Sequence, residues 1–157
     1  MKVTILCVGK TDIDFVTEAN NLYINRLKHY IPVEFRIIPE HKSWKKLDPI
    51  QRKIKEGEAI LALLSPSDHA VLLDEKGTQR SSEAFAQYMQ KNMASGAKNL
   101  VFVIGGAFGF SDEIYQQLPA KMSLSKMTFS HQMVRCFLLE QVYRAMTILR
   151  NEPYHNG

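Results

Sequence analysis

The chain has 157 residues, 45% of them hydrophobic and 23% charged, which predicts one domain over residues 1–157 and excludes collagen-like and disordered proteins. Twenty basic and 16 acidic residues give a net charge of +4, which permits a polyanionic partner without requiring one. No apolar run approaches the ~18 residues of a membrane helix, and the N-terminus lacks a signal-peptide layout. We therefore expect a cytoplasmic protein without membrane association.

Short apolar segments alternate with helical patterns along the chain. The predicted strands cover residues 3–8, 33–38, 70–73, 100–104 and 122–125. The predicted helices cover residues 14–27, 50–64, 83–93, 112–118 and 134–150. The strands are continuous apolar runs rather than alternating ones, which is typical of a parallel sheet covered on both faces. The pattern therefore predicts an α/β fold with a mainly parallel sheet flanked by helices.

Three predicted loops follow the carboxyl ends of strands, where ligands bind in open α/β sheets. They cover residues 72–77, 104–109 and 124–131. In the second, Ala107 stands where a dinucleotide-binding fingerprint has its second glycine, and no acidic residue follows at the usual distance. A nicotinamide-dependent oxidoreductase is therefore disfavoured. The glycines still allow close approach of a flat ligand, although a simple tight turn is an alternative explanation.

The third loop combines small hydrogen-bonding residues with apolar side chains that could hold an adenine ring. A Ser/Thr loop that caps the next helix is the alternative interpretation. That helix has an apolar arc wider than one buried face requires. It predicts a homodimer with Val142 and Met146 in the interface, unless the helix is fully internal. Basic residues around Trp44, at 41–55, favour RNA contacts or a solvated surface.

Several motifs occur in a defined order. Leu-Asp-x-x-Gly at 73–77 is followed by Val-Ile-Gly-Gly-x-x-Gly at 103–109 and Leu-Ser-Lys-Met-Thr-Phe-x-His at 124–131. A Glu-Gln-x-Tyr-Arg run at 140–144 and Pro-Tyr-His at 153–155 come after them. With these motifs the chain resembles the ribosomal large-subunit methyltransferase H family, which are minimal SPOUT methyltransferases.

The resemblance implies a SPOUT-type fold with a C-terminal trefoil knot and a homodimer. It also implies S-adenosylmethionine as cofactor and transfer of a methyl group to N(3) of a pseudouridine in large-subunit ribosomal RNA, within the ribosome. No metal is expected. The alternative function is a non-catalytic, ribosome-associated RNA-binding module, which would bind ribosomes without any adenosyl ligand.

The resemblance also assigns site residues. The cofactor contacts it implies are Leu73, Gly105, Leu124, Ser125, Lys126, Met127, Thr128 and Phe129. Relatives commonly carry proline where this chain has Ser130, which predicts a looser loop here. For catalysis we expect His131 and Arg135 beside the methyl donor, with Tyr154 and His155 closing over it from the same or the other subunit. His131 could instead only begin the helix, and the tail could be passive.

Overall fold

A computed structural model describes residues 1–154 as one parallel sheet with helices on both faces. Its strands are β1 (Lys2–Val8), β2 (Val33–Ile38), β3 (Asp68–Gln79), β4 (Asn99–Ile104) and β5 (Lys121–Ser123). Its helices are α1 (Asp14–Leu27), α2 (Pro49–Leu63), α3 (Ser82–Ala94), α4 (Asp112–Gln117) and α5 (Met133–Leu149), with a short 3-10 helix at Lys42–Lys46. The strand order is β2-β1-β4-β3-β5. The predicted α/β class is confirmed.

Side chains that accept backbone hydrogen bonds mark where three helices begin. Asp48 accepts from the amide of Gln51 (2.9 Å) at the start of α2, where Pro49 is the first residue. Ser81 accepts from Ala84 (3.2 Å) and so caps α3. Ser111 caps α4 in the same way. These caps satisfy amides that the first turn leaves unpaired, so the helix starts follow from local sequence.

The sheet separates two apolar cores. One lies between the sheet and α1, α3 and α5, and the other between the sheet and α2 and α4. Helix α5 contacts both α1 and α3, which accounts for its wide apolar arc. Val142 and Met146 lie in this core with 0% and 5% exposure, so the prediction that they form an intersubunit face is wrong. None of the described helices is long and apolar enough to cross a membrane.

Strand β3 continues through residues 74–77, which the polar sequence predicts as a loop. These residues form a bulge, because Leu73 and Thr78 both pair with Met122 of β5. A Cβ atom on Gly77 would lie 2.5 Å from the backbone N and C atoms of Met122. Only glycine permits this approach, so the last position of the Leu-Asp-x-x-Gly motif is a packing requirement.

Candidate functional site

A cavity of about 610 Å³ opens at the carboxyl ends of β3, β4 and β5. All three predicted ligand loops contribute to its wall. Of the residues assigned by the resemblance, those that line it are Leu73, Gly105, Leu124, Ser125, Met127, Thr128, Phe129 and His131. Lys126 lies in the same loop with an exposed side chain. The parallel topology therefore brings together segments that are about 50 residues apart in the chain.

Internal hydrogen bonds hold the loop of residues 124–131. Ser123 donates from Oγ to the carbonyl of Ser125 (2.7 Å), and Ser125 Oγ accepts from the amide of Met127 (3.0 Å). Ser130 Oγ accepts from the amide of Met133 (3.1 Å) and thereby tethers the loop to the start of α5. Ser130 thus gives the loop a polar anchor to the start of α5.

The loop keeps apolar side chains in reach of a ligand. Met127 is 76% exposed and Phe129 is 41% exposed, and both line the cavity. Such exposure of large apolar groups at a concave surface is characteristic of ligand sites and interfaces.

The glycine loop after β4 is a tight turn. Gly109 donates its amide to the carbonyl of Gly106 (3.2 Å) and has a positive φ of 76°, which favours glycine. A Cβ on Gly105 would lie 3.1 Å from the Phe110 ring. The left-handed residue of this turn is Gly109, whereas Gly105 does not have a positive φ. The requirement at Gly105 comes from close packing against a buried ring.

Carboxylates form an acidic rim that the sequence analysis does not single out. Asp74, Glu75 and Asp112 line the cavity. Tyr115 donates to Asp74 Oδ2 (2.5 Å), and the amide of Lys76 donates to Asp74 Oδ1 (2.8 Å). Burial, together with the bond to Asp74, raises the pKa of Tyr115, so the phenol stays a donor. Within residues 1–154, no group of three or more His, Cys, Asp or Glu could hold a metal ion.

The structure separates the predicted catalytic residues. His131 lines the cavity, whereas Arg135 is completely buried. Arg135 donates from Nε to the carbonyl of His131 (2.9 Å), from Nη1 to Thr11 Oγ1 (2.8 Å) and from Nη2 to the carbonyl of Val8 (2.9 Å). Its guanidinium therefore joins the start of α5 to the loop after β1. This corrects the expectation that Arg135 lies beside the ligand.

Tyr154 packs against α5. It donates to Glu140 Oε1 (3.1 Å), its ring lies 4.8 Å from the Tyr143 ring, and the Arg144 guanidinium lies 4.8 Å from its ring centroid. Burial, with the neighbouring Tyr23 and Glu140, raises the pKa of Tyr154. Tyr154 thus does not line the cavity of this chain. His155 lies outside the described residues.

A family model described as "Predicted SPOUT methyltransferase" matches residues 1–155. The chain belongs to the SPOUT methyltransferase family. Proteins named "Ribosomal RNA large subunit methyltransferase H" from Christiangramia forsetii, Parabacteroides distasonis and Porphyromonas gingivalis are 56%, 54% and 51% identical to it, over 99% of each chain. These findings confirm the resemblance carried by the motifs.

A likeness to a solved structure supports the fold of this SPOUT methyltransferase. The structure of a probable methylase family protein from Haemophilus influenzae aligns with a TM-score of 0.50 and 11% identity. The alignment covers 99% of this chain and 70% of that chain. At this sequence identity the comparison shows a similar fold and nothing about function.

Proposed function

We propose that the chain transfers a methyl group from S-adenosylmethionine to N(3) of a pseudouridine in large-subunit ribosomal RNA, in the cytoplasm. Family membership supports methyl transfer, and the names of the relatives support ribosomal RNA as acceptor. The pseudouridine and its N(3) atom follow from the motif resemblance. The observation that carries the proposal is the meeting of three motif loops around one cavity. A binding module without an adenosyl ligand has no use for such a cavity.

The cavity has the size and the apolar lining that an adenosyl sulfonium ligand requires. Its volume falls within the ~300–1,000 Å³ typical of small-molecule sites. Leu73, Leu124 and Phe129 offer apolar surface for a flat base, and Gly105 allows backbone approach. Lys53 and Lys76 also line the cavity, but the carboxylates of Asp74, Glu75 and Asp112 are the groups that attract the positive ammonium and sulfonium of the ligand. When bound, this ligand supplies a methyl group already activated by its positive sulfur.

The residues of the chain then have two tasks, to hold the acceptor ring in line with the methyl group and to receive the N(3) proton. Positioning supplies much of the rate in such transfers. His131 lies in the cavity wall, and imidazole is the commonest side-chain proton acceptor. We assign proton removal to His131 and assign to Arg135 the positioning of the His131 backbone through the 2.9 Å bond to its carbonyl.

We further propose a homodimer through the outward side of α1 and α5. Phe15 (61% exposed) and Leu22 (47%) on α1 and Phe137 (39%) on α5 leave apolar surface uncovered on these helices. Large exposed apolar groups of this kind mark association surfaces. We also propose that His155 acts at the cavity of the partner subunit, because Tyr154 is bonded to Glu140 of α5 and does not line the cavity of its own chain.

Binding of S-adenosylhomocysteine, the demethylated product, tests the ligand half of this proposal. We expect saturable binding to the wild type by calorimetry and at least tenfold weaker binding to Gly105→Val. The new side chain would press on the Phe110 ring and displace the turn, because a Cβ alone would lie only 3.1 Å from it. Ala94→Val at the exposed end of α3 is the control. Unchanged affinity in a folded Gly105→Val protein would remove this turn from the site.

RNA affinity should depend on salt and on lysines of the basic segment at 41–55. The structure reduces the number of residues in this segment that are available to RNA, because Trp44 is buried and Arg52 is paired with Glu40 and Glu56. Trp44 is therefore not available for base stacking. We assign phosphate contacts to Lys45 and Lys46, which are exposed, and to Lys53, which is half-buried and lines the cavity.

Replacing these three lysines with alanine should flatten the plot of log affinity against log salt, by somewhat less than one unit for each phosphate that the variant no longer neutralises. The measurement is filter binding of a ribosomal RNA fragment at several salt concentrations. The control is Lys91→Ala, an exposed lysine on α3. An unchanged slope in the triple variant would show that these lysines contact solvent and not RNA phosphates.

A further inference from the structure

One arginine joins two carboxylates beneath the ligand loops. Arg52 of α2 bonds through Nε to Glu56 Oε1 at 2.8 Å and through Nη2 to Glu40 Oε1 at 3.1 Å. The side chain of Arg52 is 15% exposed and that of Glu56 is 2% exposed. Ion pairs this buried depend on their geometry far more than surface pairs do, because solvent cannot replace a missing partner.

Each carboxylate rests against a glycine at the carboxyl end of a strand. A Cβ on Gly106, in the turn after β4, would lie 2.5 Å from Glu56 Oε2. A Cβ on Gly9, after β1, would lie 2.9 Å from Glu40 Oε1. A side chain at position 9 or 106 would therefore overlap with one of these carboxylates. The Glu56 carboxylate, bonded to Arg52, therefore lies directly against the 106–109 turn.

One oxygen of the Glu56 carboxylate is an unsatisfied hydrogen-bond acceptor. Within residues 1–154, Glu56 Oε2 is buried and has no hydrogen-bond partner. A buried acceptor without a donor is destabilising, and more so when it is charged. Phe108 in the same turn is 47% exposed, lines the cavity and has its ring 5.5 Å from the Arg52 guanidinium. The ion pair, the turn and the cavity are therefore in contact.

We propose that Glu56 is a positioning residue for the methyl-donor site. Its carboxylate, anchored by Arg52, sets the position of the 106–109 turn. Its unpaired oxygen accepts a backbone N–H of that turn when ligand occupies the cavity. The inference rests on the proposed function, because the ligand is the one proposed above. Glu56 is buried behind the turn and acts on the ligand only through it.

The test is Glu56→Gln, which keeps the size of the side chain but removes its charge and replaces one acceptor oxygen with a donor amide. We expect S-adenosylhomocysteine to bind at least tenfold more weakly by calorimetry. We also expect ligand-induced protection of the 106–109 amides from hydrogen exchange to fall at least tenfold. In the methylation assay KM for the donor should rise, whereas kcat at saturation should stay within about threefold. A purely structural residue would not alter protection that depends on ligand.

Glu58→Gln is the matched control. Glu58 lies on the same helix and pairs with Lys55 at 2.8 Å, but the side chains of this pair are 53% and 51% exposed. It should bind the ligand like the wild type. If Glu56→Gln does not fold, Gly106→Ala tests the same contact from the turn, because its Cβ displaces the carboxylate. It should show the same tenfold loss.

Two results would overturn the inference, and they differ in meaning. Affinity and amide protection within twofold of the wild type in folded Glu56→Gln would overturn this inference alone. A wild-type protein that binds no S-adenosylhomocysteine would overturn the proposed function and the inference with it.

Discussion

Arg135→Met should lower the free energy of unfolding by about 3 kcal/mol and reduce methylation at least a hundredfold. The substitution keeps an unbranched side chain but removes three donors. The carbonyls of Val8 and His131 and the hydroxyl of Thr11 would lose their bonds inside the protein. Leaving each buried acceptor unpaired costs on the order of 1 kcal/mol or more. Release of the His131 backbone would misplace the imidazole that we assign to proton transfer.

Urea denaturation and a methylation assay would measure the two effects. The control is Arg36→Met, since Arg36 is 38% exposed and pairs with Glu34 at the surface. Its ion pair should contribute little, because exposed pairs are typically worth less than about 1 kcal/mol. Arg135→Met with wild-type stability and wild-type methylation would show that the buried guanidinium does not position the site.

Removal of residues 154–157 should reduce methylation at least a hundredfold while leaving S-adenosylhomocysteine binding intact. We attribute this loss to His155. The raised pKa of Tyr154 keeps its phenol protonated at neutral pH, so the His155 imidazole is the better candidate in the tail for a second acid–base group that acts together with His131. A positioned acid or base contributes about 10²–10⁴-fold, which sets the size of the expected effect. His155→Ala should therefore account for most of the loss.

Tyr154→Phe is the control for the tail. It keeps the ring that packs on Tyr143 and removes only the hydroxyl that donates to Glu140. We expect methylation within about threefold of the wild type. Mixing the tail deletion with an inactive His131→Ala partner would restore activity if the tail acts across a dimer. Full methylation by the deletion variant would instead leave His131 or positioning alone as the source of the rate.

Much of the fold follows from local sequence. Continuous apolar segments such as Leu100–Ile104 predict strands buried on both faces, and caps such as Ser81 and Asp48 fix helix starts within a residue or two. The loops of the site follow from the rule that ligands bind at the carboxyl ends of parallel strands. These features depend on neighbours in the chain or on a general topological rule, so a sequence can predict them.

Other features depend on contacts between distant residues. Periodicity places Arg135 in the apolar arc of α5, but its acceptors at the end of β1 and in the loop after it lie about 125 residues earlier in the chain. The same holds for Arg52, whose partner Glu40 is on another segment, so a residue that resembles an RNA contact in the sequence belongs to an internal ion pair. The bulge at 74–77 is not predicted because its polar residues are typical of a turn, whereas pairing with β5 extends the strand.

Mass spectrometry of ribosomal RNA from a strain that lacks this protein tests the central claim most directly. The proposed function predicts that one N(3)-methylated pseudouridine of the large-subunit RNA loses its methyl group and becomes unmodified pseudouridine. Expression of the wild-type chain should restore the modification, and expression of Gly105→Val should restore it only in part. A full complement of N(3)-methylpseudouridine in the strain without the protein would contradict the proposed function.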